Sequence, residues 1–221
     1  MTTRELLRFT LVGDGSSDRA LLPIISWLIC DIAGNIPLEP QWADLGPLAP
    51  DEKSLGKRIR KALDYFPCHL LFVHRDSERT YDGERRFEEI SRACANHQSQ
   101  HPELLTVGVV PMRMMEAWFL LDEAAIRRAA GNPLGRAQLS LPGLKRIERV
   151  DAKDVLHQAI RDAGELTGRK AKKFNMAAAI HDVADFIGDF SRLNQLPSFL
   201  RFRSDLSHAL KKLGLGRSTQ A

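Results

Sequence analysis

Two apolar runs that end in carboxylates constrain this chain more than any other feature. Residues 7–13 lead directly into Asp14, and residues 69–75 lead into Asp76 and then Glu78. A buried strand that ends in carboxylates is costly unless a cation or a bound proton compensates the charge. If the two runs are neighbouring strands of a parallel sheet, the three acids converge at one edge of that sheet. The pattern therefore predicts a divalent-metal site formed by Asp14, Asp76 and Glu78.

Strand and helix patterns alternate through the first half of the chain. The strand candidates are residues 6–13, 38–45, 69–75 and 104–110, and helical spacing lies between them. This alternation predicts an α/β architecture, with about four mainly parallel strands flanked by helices. The nearly continuous apolar run at 69–75 is typical of a strand that is covered on both faces.

After residue 122 the pattern is helical. The segments with helical spacing there are 123–130, 152–163, 176–190 and 198–213. Just before this part, a further helix is expected from residue 114 to 121. We therefore predict two domains. Residues 1–122 form the α/β domain, and residues 123–221 form a helical C-terminal extension packed on it.

Composition excludes several classes of protein. Of the 221 residues, 43% are hydrophobic and 27% charged, which allows a packed core and argues against disorder. The longest apolar stretch, residues 20–29, is too short to span a bilayer, so we expect a cytoplasmic protein with no membrane partner. The three cysteines form no CxxC pair, which argues against a disulfide framework or a thiolate zinc site.

The net charge of +4 conceals an asymmetry. Residues 1–110 carry a balance of −3, and residues 111–221 a balance of +7. A basic half favours a polyanionic partner such as nucleic acid, although a solvated basic surface explains the same count. The compact basic cluster consists of Arg169, Lys170, Lys172 and Lys173. It suits contacts to a nucleic-acid backbone, and a solvated loop is the alternative.

Asp14 opens a turn that small residues continue. Gly15 permits close backbone approach, and Ser16 and Ser17 place N–H groups near the start of a helix. Such a turn can bind a phosphate or orient a carboxylate. The alternative is an ordinary strand-to-helix turn with a serine or aspartate cap.

Asp76 and Glu78 stand two residues apart. In an extended segment, this spacing places both side chains on one side. Two carboxylates aimed the same way suit a hard cation, Mg²⁺ or Mn²⁺. The alternative is a polar strand end whose charges pair with Arg75 and Arg79.

Three short motifs resemble those of the toprim fold, which topoisomerases, primases and OLD-type nucleases share. Residues 14–18 occupy the place of its first acidic motif, and residues 76–78 that of its Asp-x-Asp motif. The Glu-Ala-Trp at 116–118 resembles a helix of the uncharacterised bacterial toprim-like proteins linked to phage defence, the group to which the chain is most similar. The resemblance covers residues 6–122.

The resemblance implies roles for four acids. Asp76 and Glu78 would hold the metal, Asp14 would be a further ligand or the general acid/base, and Glu116 would complete the acidic rim. Two residues depart from the family pattern: Asp14 replaces a glutamate, and Glu78 replaces an aspartate. For Glu116, the alternative is a glutamate favoured by the start of a helix.

Three arginines flank the acidic strand ends. Arg75, Arg79 and Arg113 are each candidates for a bidentate grip on phosphate. Each is equally suited to neutralising a nearby acid.

Three hypotheses for function follow. The first is a metal-dependent phosphodiester hydrolase, a nuclease acting on nucleic acid, with a role in bacterial defence implied by the resemblance. The second is a catalytically degenerate toprim-like subunit that binds nucleic acid or a partner protein of a defence system. The third is a phosphatase for a small phosphate ester that uses the same carboxylates.

Overall fold

The computed structural model describes residues 6–77 and 83–216, except for the side chains of residues 96 and 98–100. These residues form two compact units that interleave along the chain. The sheet unit takes its described residues from 6–75, 83–110 and 201–216. The helical unit takes them from 76–77 and 111–200. The predicted boundary after residue 122 stays a prediction about independent domains.

The sheet unit contains four parallel strands. In chain order they are β1 (Leu7–Val12), β2 (Leu38–Trp42), β3 (Leu70–His74) and β4 (Leu105–Val109). Their order across the sheet is β2-β1-β3-β4, and all three pairings are parallel. In register, Leu11 of β1 lies opposite Trp42 of β2 and Phe72 of β3.

Helices connect these strands and cover the sheet. A 3₁₀ helix (Ser16–Leu21) continues into α1 (Leu22–Ala33), a 3₁₀ turn (Pro50–Glu52) precedes α2 (Leu55–Tyr65), and α3 spans Gly83–Gln100. The last helix, α8, spans Pro197–Lys212. Because all pairings are parallel, each connection has to cross from one end of the sheet to the other, which a helix accomplishes.

The core of the sheet unit follows the alternation of the strands. Phe9 and Phe72 meet edge to face with their ring centroids 5.3 Å apart, and Phe202 of α8 packs against Phe72 at 6.1 Å. An ion pair of 2.6 Å between Arg203 and Asp31 joins α8 to α1. On the other parity of the strands, a second buried cluster forms with α2 and α3. Its buried members are Val12, Ala43, Ile59, Ala62, Leu71, Val73, Ile90, Cys94, Leu104 and Val110.

In the helical unit, side-chain caps start three of the helices. The α-helices that lie within it are α4 (Glu123–Ala129), α5 (Ala152–Ala163), α6 (Gly168–Lys173) and α7 (Met176–Phe186). Asp122, Asp151 and Asn175 accept hydrogen bonds from the third backbone N–H of α4, α5 and α7, respectively. Short 3₁₀ segments cover Met115–Phe119, Leu144–Arg146 and Ser191–Gln195.

The structure confirms the predicted α/β class and the four parallel strands, as well as a C-terminal part that is helical. The helix expected at 114–121 is instead the short 3₁₀ segment Met115–Phe119. The backbone leaves helical geometry at the start of this segment, since Arg113 has a positive φ of 65° and Met114 is fully extended. The helix expected at 176–190 ends at Phe186, and α6 was not predicted. Among the described helices, none has the length and apolar composition that a membrane crossing requires.

Candidate functional site

Asp14 lies just beyond the carboxyl end of β1. The chain leaves β1 at Val12, passes through Gly13 and Asp14, and enters the 3₁₀ helix at Ser16. In the sheet, β1 lies between β2 and β3. The chain therefore runs from β1 to one side to form β2, and it returns to the other side of β1 to form β3. Open parallel sheets place ligand sites where the strand order switches in this way. Asp14 therefore lies at the end of the sheet where such sites form, and its functional role stays a prediction.

Two arginines hold the Asp14 carboxylate. Arg58 donates to Asp14 Oδ1 at 2.6 Å, and Arg75 donates from Nη1 to both oxygens at 2.5 Å. The Asp14 side chain is 46% exposed, whereas that of Arg58 is only 14% exposed. Partial burial raises the pKa of Asp14, but attraction to Arg75 and hydrogen bonds from both arginines outweigh it and hold the pKa below its usual value. Asp14 is therefore a carboxylate at neutral pH.

These residues belong to a row of alternating charges. Arg75 also bonds to Glu89 of α3 at 3.0 Å, and Glu89 bonds to Arg86 at 2.7 Å. Each of the two carboxylates thus lies between two guanidinium groups. The row carries three positive and two negative charges, so it attracts an anion even after its internal pairing.

Asp18 fills the turn after β1, for which the sequence left a bound phosphate, an oriented carboxylate and a serine or aspartate cap as alternatives. Its carboxylate is 6% exposed, and its Oδ2 accepts from the backbone N–H of Asp14 at 2.7 Å and of Gly15 at 3.3 Å. His74 Nε2 lies 3.9 Å from the same oxygen, and its Nδ1 donates to the carbonyl of Val109. The turn therefore binds its own carboxylate with donors that a phosphate would use.

Gly13 makes this closure of the turn possible. A Cβ added at Gly13 would lie 2.3 Å from Asp18 Oδ2 and 2.7 Å from Asp18 Cβ. A Cβ added at Gly15 would meet only Ser17 Oγ, at 3.8 Å. The glycine that the fold requires is thus Gly13, and the phosphate roles of Gly15, Ser16 and Ser17 stay predictions.

An open cleft of about 540 Å³ lies beside Asp14, at the carboxyl ends of β1 and β2. The residues that line it come from the two loops that follow these strands and from the start of α2. They are Gly13, Asp14, Gly15, Ser16, Trp42, Ala43, Asp44, Leu45, Gly46, Leu48, Lys53 and Arg58. We call this space the Trp42 cleft.

In the helical unit, Asp76 and Ser77 bind the backbone of a neighbouring segment. Asp76 Oδ1 accepts from the N–H of Met115 at 3.0 Å, and Ser77 Oγ accepts from the N–H of Arg113 at 2.7 Å. Glu116, the next residue after Met115, is 6% exposed. Asp76 is therefore bonded to the residue that precedes Glu116 in sequence, and the metal-binding roles of both acids stay predictions.

Several predicted site residues have other surroundings. Glu78 and Arg79 lie outside the described residues. Arg113 directs its guanidinium to the carbonyl of Arg149 at 3.4 Å, and its role in binding phosphate stays a prediction. The basic cluster Arg169, Lys170, Lys172 and Lys173 forms the exposed helix α6 instead of a loop.

The surroundings of the predicted metal ligands differ from one residue to the next. In residues 6–77 and 83–216, no three His, Cys, Asp or Glu side chains form a group that could hold a metal ion. Guanidinium N–H groups bind both oxygens of Asp14 and balance its charge without a metal, so its role as a ligand stays a prediction. Asp76 stays a predicted ligand, and its hydrogen bond to the N–H of Met115 orients one of its oxygens.

Sequence reasoning missed Arg58 and Trp42 as members of this region, whereas it named Asp18 as part of the 14–18 motif and as a possible cap. Arg58 carried a usable signal, since it falls three residues after Leu55 and four before Ala62, within the apolar stripe of α2. A charged residue that is buried in such a stripe indicates an acidic partner. Trp42 gave no signal, because only the pairing of β2 with β1 brings it beside Asp14.

Comparisons with family models, with curated proteins and with solved structures give no match to this chain.

Proposed function

We propose that this protein is a metal-dependent phosphodiester hydrolase that acts on nucleic acid. The observation that carries the proposal is the position of the acids: carboxylates follow both β1 and β3, the two strands that flank the switch in strand order. The toprim-like motifs support the same activity. A cytoplasmic location and a role in bacterial defence, with a partner protein of that system, are part of the proposal through the resemblance alone.

Asp76 and Glu78 are the proposed ligands of Mg²⁺ or Mn²⁺. Glu116 is a further proposed ligand, and it directly follows Met115, whose backbone N–H donates to Asp76. The metal, when bound, stabilises charge on the phosphate oxygens and lowers the pKa of a bound water. The N–H of Met115 donates to one oxygen of Asp76, and this bond holds the Asp76 carboxylate in a fixed orientation for binding the metal.

Asp14 has a narrower role in this proposal than the resemblance implies. A general acid must carry a proton at the working pH, and a general base works best when its pKa lies near that pH, so the lowered pKa of Asp14 suits neither role. Its pairing with Arg58 and Arg75 instead keeps these two cations at the edge of the sheet. We assign Asp14 to the positioning of arginines that bind phosphate.

The second candidate is a catalytically degenerate subunit that binds nucleic acid or a partner. The specific observation that favours it is the double arginine pairing of Asp14, which occupies the carboxylate that the family uses in chemistry. The exposed basic helix α6 supports binding under either candidate.

The activity test uses the full chain with single-stranded, linear duplex and plasmid substrates, in Mg²⁺, Mn²⁺ or EDTA. We expect cleavage with metal only, and its loss in Asp76→Asn. The matched control is Asp51→Asn, an exposed carboxylate whose ion pair with Lys57 is 3.6 Å long. Cleavage that survives Asp76→Asn would exclude the proposed metal site.

Two further outcomes separate the other candidates. Binding that needs no metal, with no cleavage of any substrate, would favour the degenerate subunit. Hydrolysis of p-nitrophenyl phosphate without cleavage of nucleic acid would identify a small-molecule phosphatase.

The basic cluster can be tested separately. The double variant Lys172→Glu/Lys173→Glu should weaken binding of nucleic acid and flatten its dependence on salt, with the slope falling by roughly 0.7–0.9 for each phosphate that is no longer neutralised. Lys211→Glu/Lys212→Glu makes the same charge change at two exposed positions of α8. Equal effects from the two pairs would show that only net charge matters.

A further inference from the structure

We propose that the Trp42 cleft binds one unpaired nucleotide of a single-stranded nucleic acid, with the base on Trp42 and the phosphate at Lys53 and Arg58. This inference deepens the proposed function by naming the substrate class. It rests on that function for the identity of the polymer and not for its cleavage.

The size of the cleft suits such a ligand. Its volume is about 540 Å³, within the range of about 300–1,000 Å³ that is typical of sites for small ligands. It lies beside Asp14 at the carboxyl ends of β1 and β2, next to the switch in strand order between β1 and β3 at which open parallel sheets bind ligands. A complete duplex is far wider than this space.

Trp42 supplies the stacking surface. It is the last residue of β2, which is an edge strand, and its side chain is half-buried in the cleft lining. Its backbone is fixed, because it pairs in register with Leu11 and the N–H of Ala43 donates to the Leu11 carbonyl at 3.0 Å. An indole that is anchored in this way presents a π-face to a base at little entropic cost.

Lys53 and Arg58 supply the positive charge. Lys53 is exposed and immediately precedes Ser54, the residue before α2, and Arg58 lies one turn inside that helix. Arg58 uses Nη1 to hold Asp14, and a guanidinium has five N–H donors in all. It can therefore contact Asp14 and a phosphate together.

The acidic residues of the cleft limit how much its positive charge can contribute to binding. Asp14 and Asp44 offset the two cations, so the cleft is close to neutral, and Asp44 Oδ1 is bonded to the N–H of Gly46 at 3.1 Å. Charge alone cannot then provide tight binding, and stacking has to contribute a large share. Stacking requires a free base face, which a single strand offers and the interior of a duplex does not.

The test measures binding in EDTA, so that cleavage plays no part. A labelled dT12 strand is titrated with the full chain by fluorescence polarisation, and intrinsic tryptophan fluorescence is followed in parallel. We expect Trp42→Leu to weaken binding by about 5- to 150-fold, and Trp42→Phe to retain most of the affinity because a phenyl ring also stacks. Lys53→Ala should lower the salt slope by roughly 0.7.

The control is Trp27→Leu, which removes an indole that is also half-buried but lies on α1. This variant should bind dT12 like the unaltered protein. Equal binding by Trp42→Leu and the unaltered protein would overturn the inference, as would a duplex that binds as tightly as dT12. If dTMP competes with an affinity equal to that of dT12, the cleft binds a free nucleotide, and the inference that its ligand is a single strand is overturned.

The same data distinguish this inference from the proposed activity. Binding that depends on Trp42 without any metal-dependent cleavage would support the cleft and exclude the hydrolase. Cleavage that proceeds normally in Trp42→Leu would support the hydrolase and exclude the cleft.

Discussion

The ends of β1 and β3 present the same residue type after the same kind of strand, yet the two aspartates make different contacts. Asp14 is half-exposed and pairs with the guanidinium groups of Arg58 and Arg75. Asp76 accepts a hydrogen bond from the backbone N–H of Met115. One carboxylate is compensated by charge, and the other is oriented by the main chain.

This difference shows that an acidic residue at the end of a strand does not by itself indicate a metal ligand. A carboxylate between two arginines has no need of a metal, because its charge is already balanced. A carboxylate that accepts a backbone N–H is held in position by the main chain, as metal ligands commonly are by the contacts behind them. The comparison therefore separates a carboxylate that arginines neutralise from one that the main chain orients, and the predictions below test each side of it.

The largest effect is expected from Gly13→Ala, at the turn that supports Asp14. The new methyl would overlap the Cβ and carboxylate of Asp18, and the turn would have to shift. We expect a loss of about 3 kcal/mol in the free energy of unfolding, measured by urea denaturation. The control, Gly15→Ala, should change it by less than about 1 kcal/mol, because Gly15 is extended and has space for a methyl. Equal costs would show that the closure by Asp18 is not the constraint.

Asp76→Ala should have the next largest effect on stability. It leaves the N–H of Met115 without its carboxylate acceptor, and we expect a cost of about 1–2 kcal/mol in the same urea assay. Asp76→Asn should cost less, because its amide oxygen still accepts this bond. An Asn variant that is stable but inactive would separate the orienting role of Asp76 from its role with a metal.

Glu148 provides a carboxyl group with the opposite pKa shift to that of Asp14. Burial raises its pKa, although the hydroxyl of Ser198 donates to it, and its exposure is only 7%. The folded state therefore favours the protonated form, and stability falls as the pH rises from about 4.3 through the raised pKa. Glu148→Gln should raise the melting temperature at pH 7, and this gain should vanish near pH 4. A gain that does not change with pH would contradict this account.

The smallest effect is expected from the titration of Asp14. Its lowered pKa means that its ion pairs stabilise the fold fully above about pH 3.9, and that this contribution is lost as the pH falls through the lowered value. The difference in melting temperature between the unaltered protein and Asp14→Asn should be largest at neutral pH and absent below the lowered pKa. Asp51→Asn, at an exposed carboxylate with one long ion pair, should show little of this dependence. A constant difference for Asp14→Asn would argue that packing, not charge, holds this residue.

Most of the fold could be predicted because its signals are local. The apolar runs that became β1, β3 and β4 were found within a residue or two of their observed ends. The segment after Pro111 was less predictable. Its sequence favours a helix, but the contacts of Arg113 and Met115 with Ser77 and Asp76 set its backbone, and these partners lie almost 40 residues earlier.

The candidate site was predictable only in part, for the same reason. That Asp14 follows a strand is a local fact, and so is the spacing of Asp76 and Glu78. The partners of Asp14 come from α2 and from the end of β3, 44 and 61 residues away. A pattern along the chain cannot show which of several arginines reaches a carboxylate.

The sequence by itself determined that strands alternate with helices, that carboxylates stand at two strand ends, and that positive charge gathers in the second half. These properties depend on the spacing of apolar and charged residues, which any window of sequence displays. Only the tertiary structure decided that Asp14 faces two arginines, that Asp18 closes the turn around Gly13, and that Trp42 lies in the cleft beside them. Those contacts depend on the order β2-β1-β3-β4, and strand order is fixed by packing between distant segments rather than by the residues of any one of them.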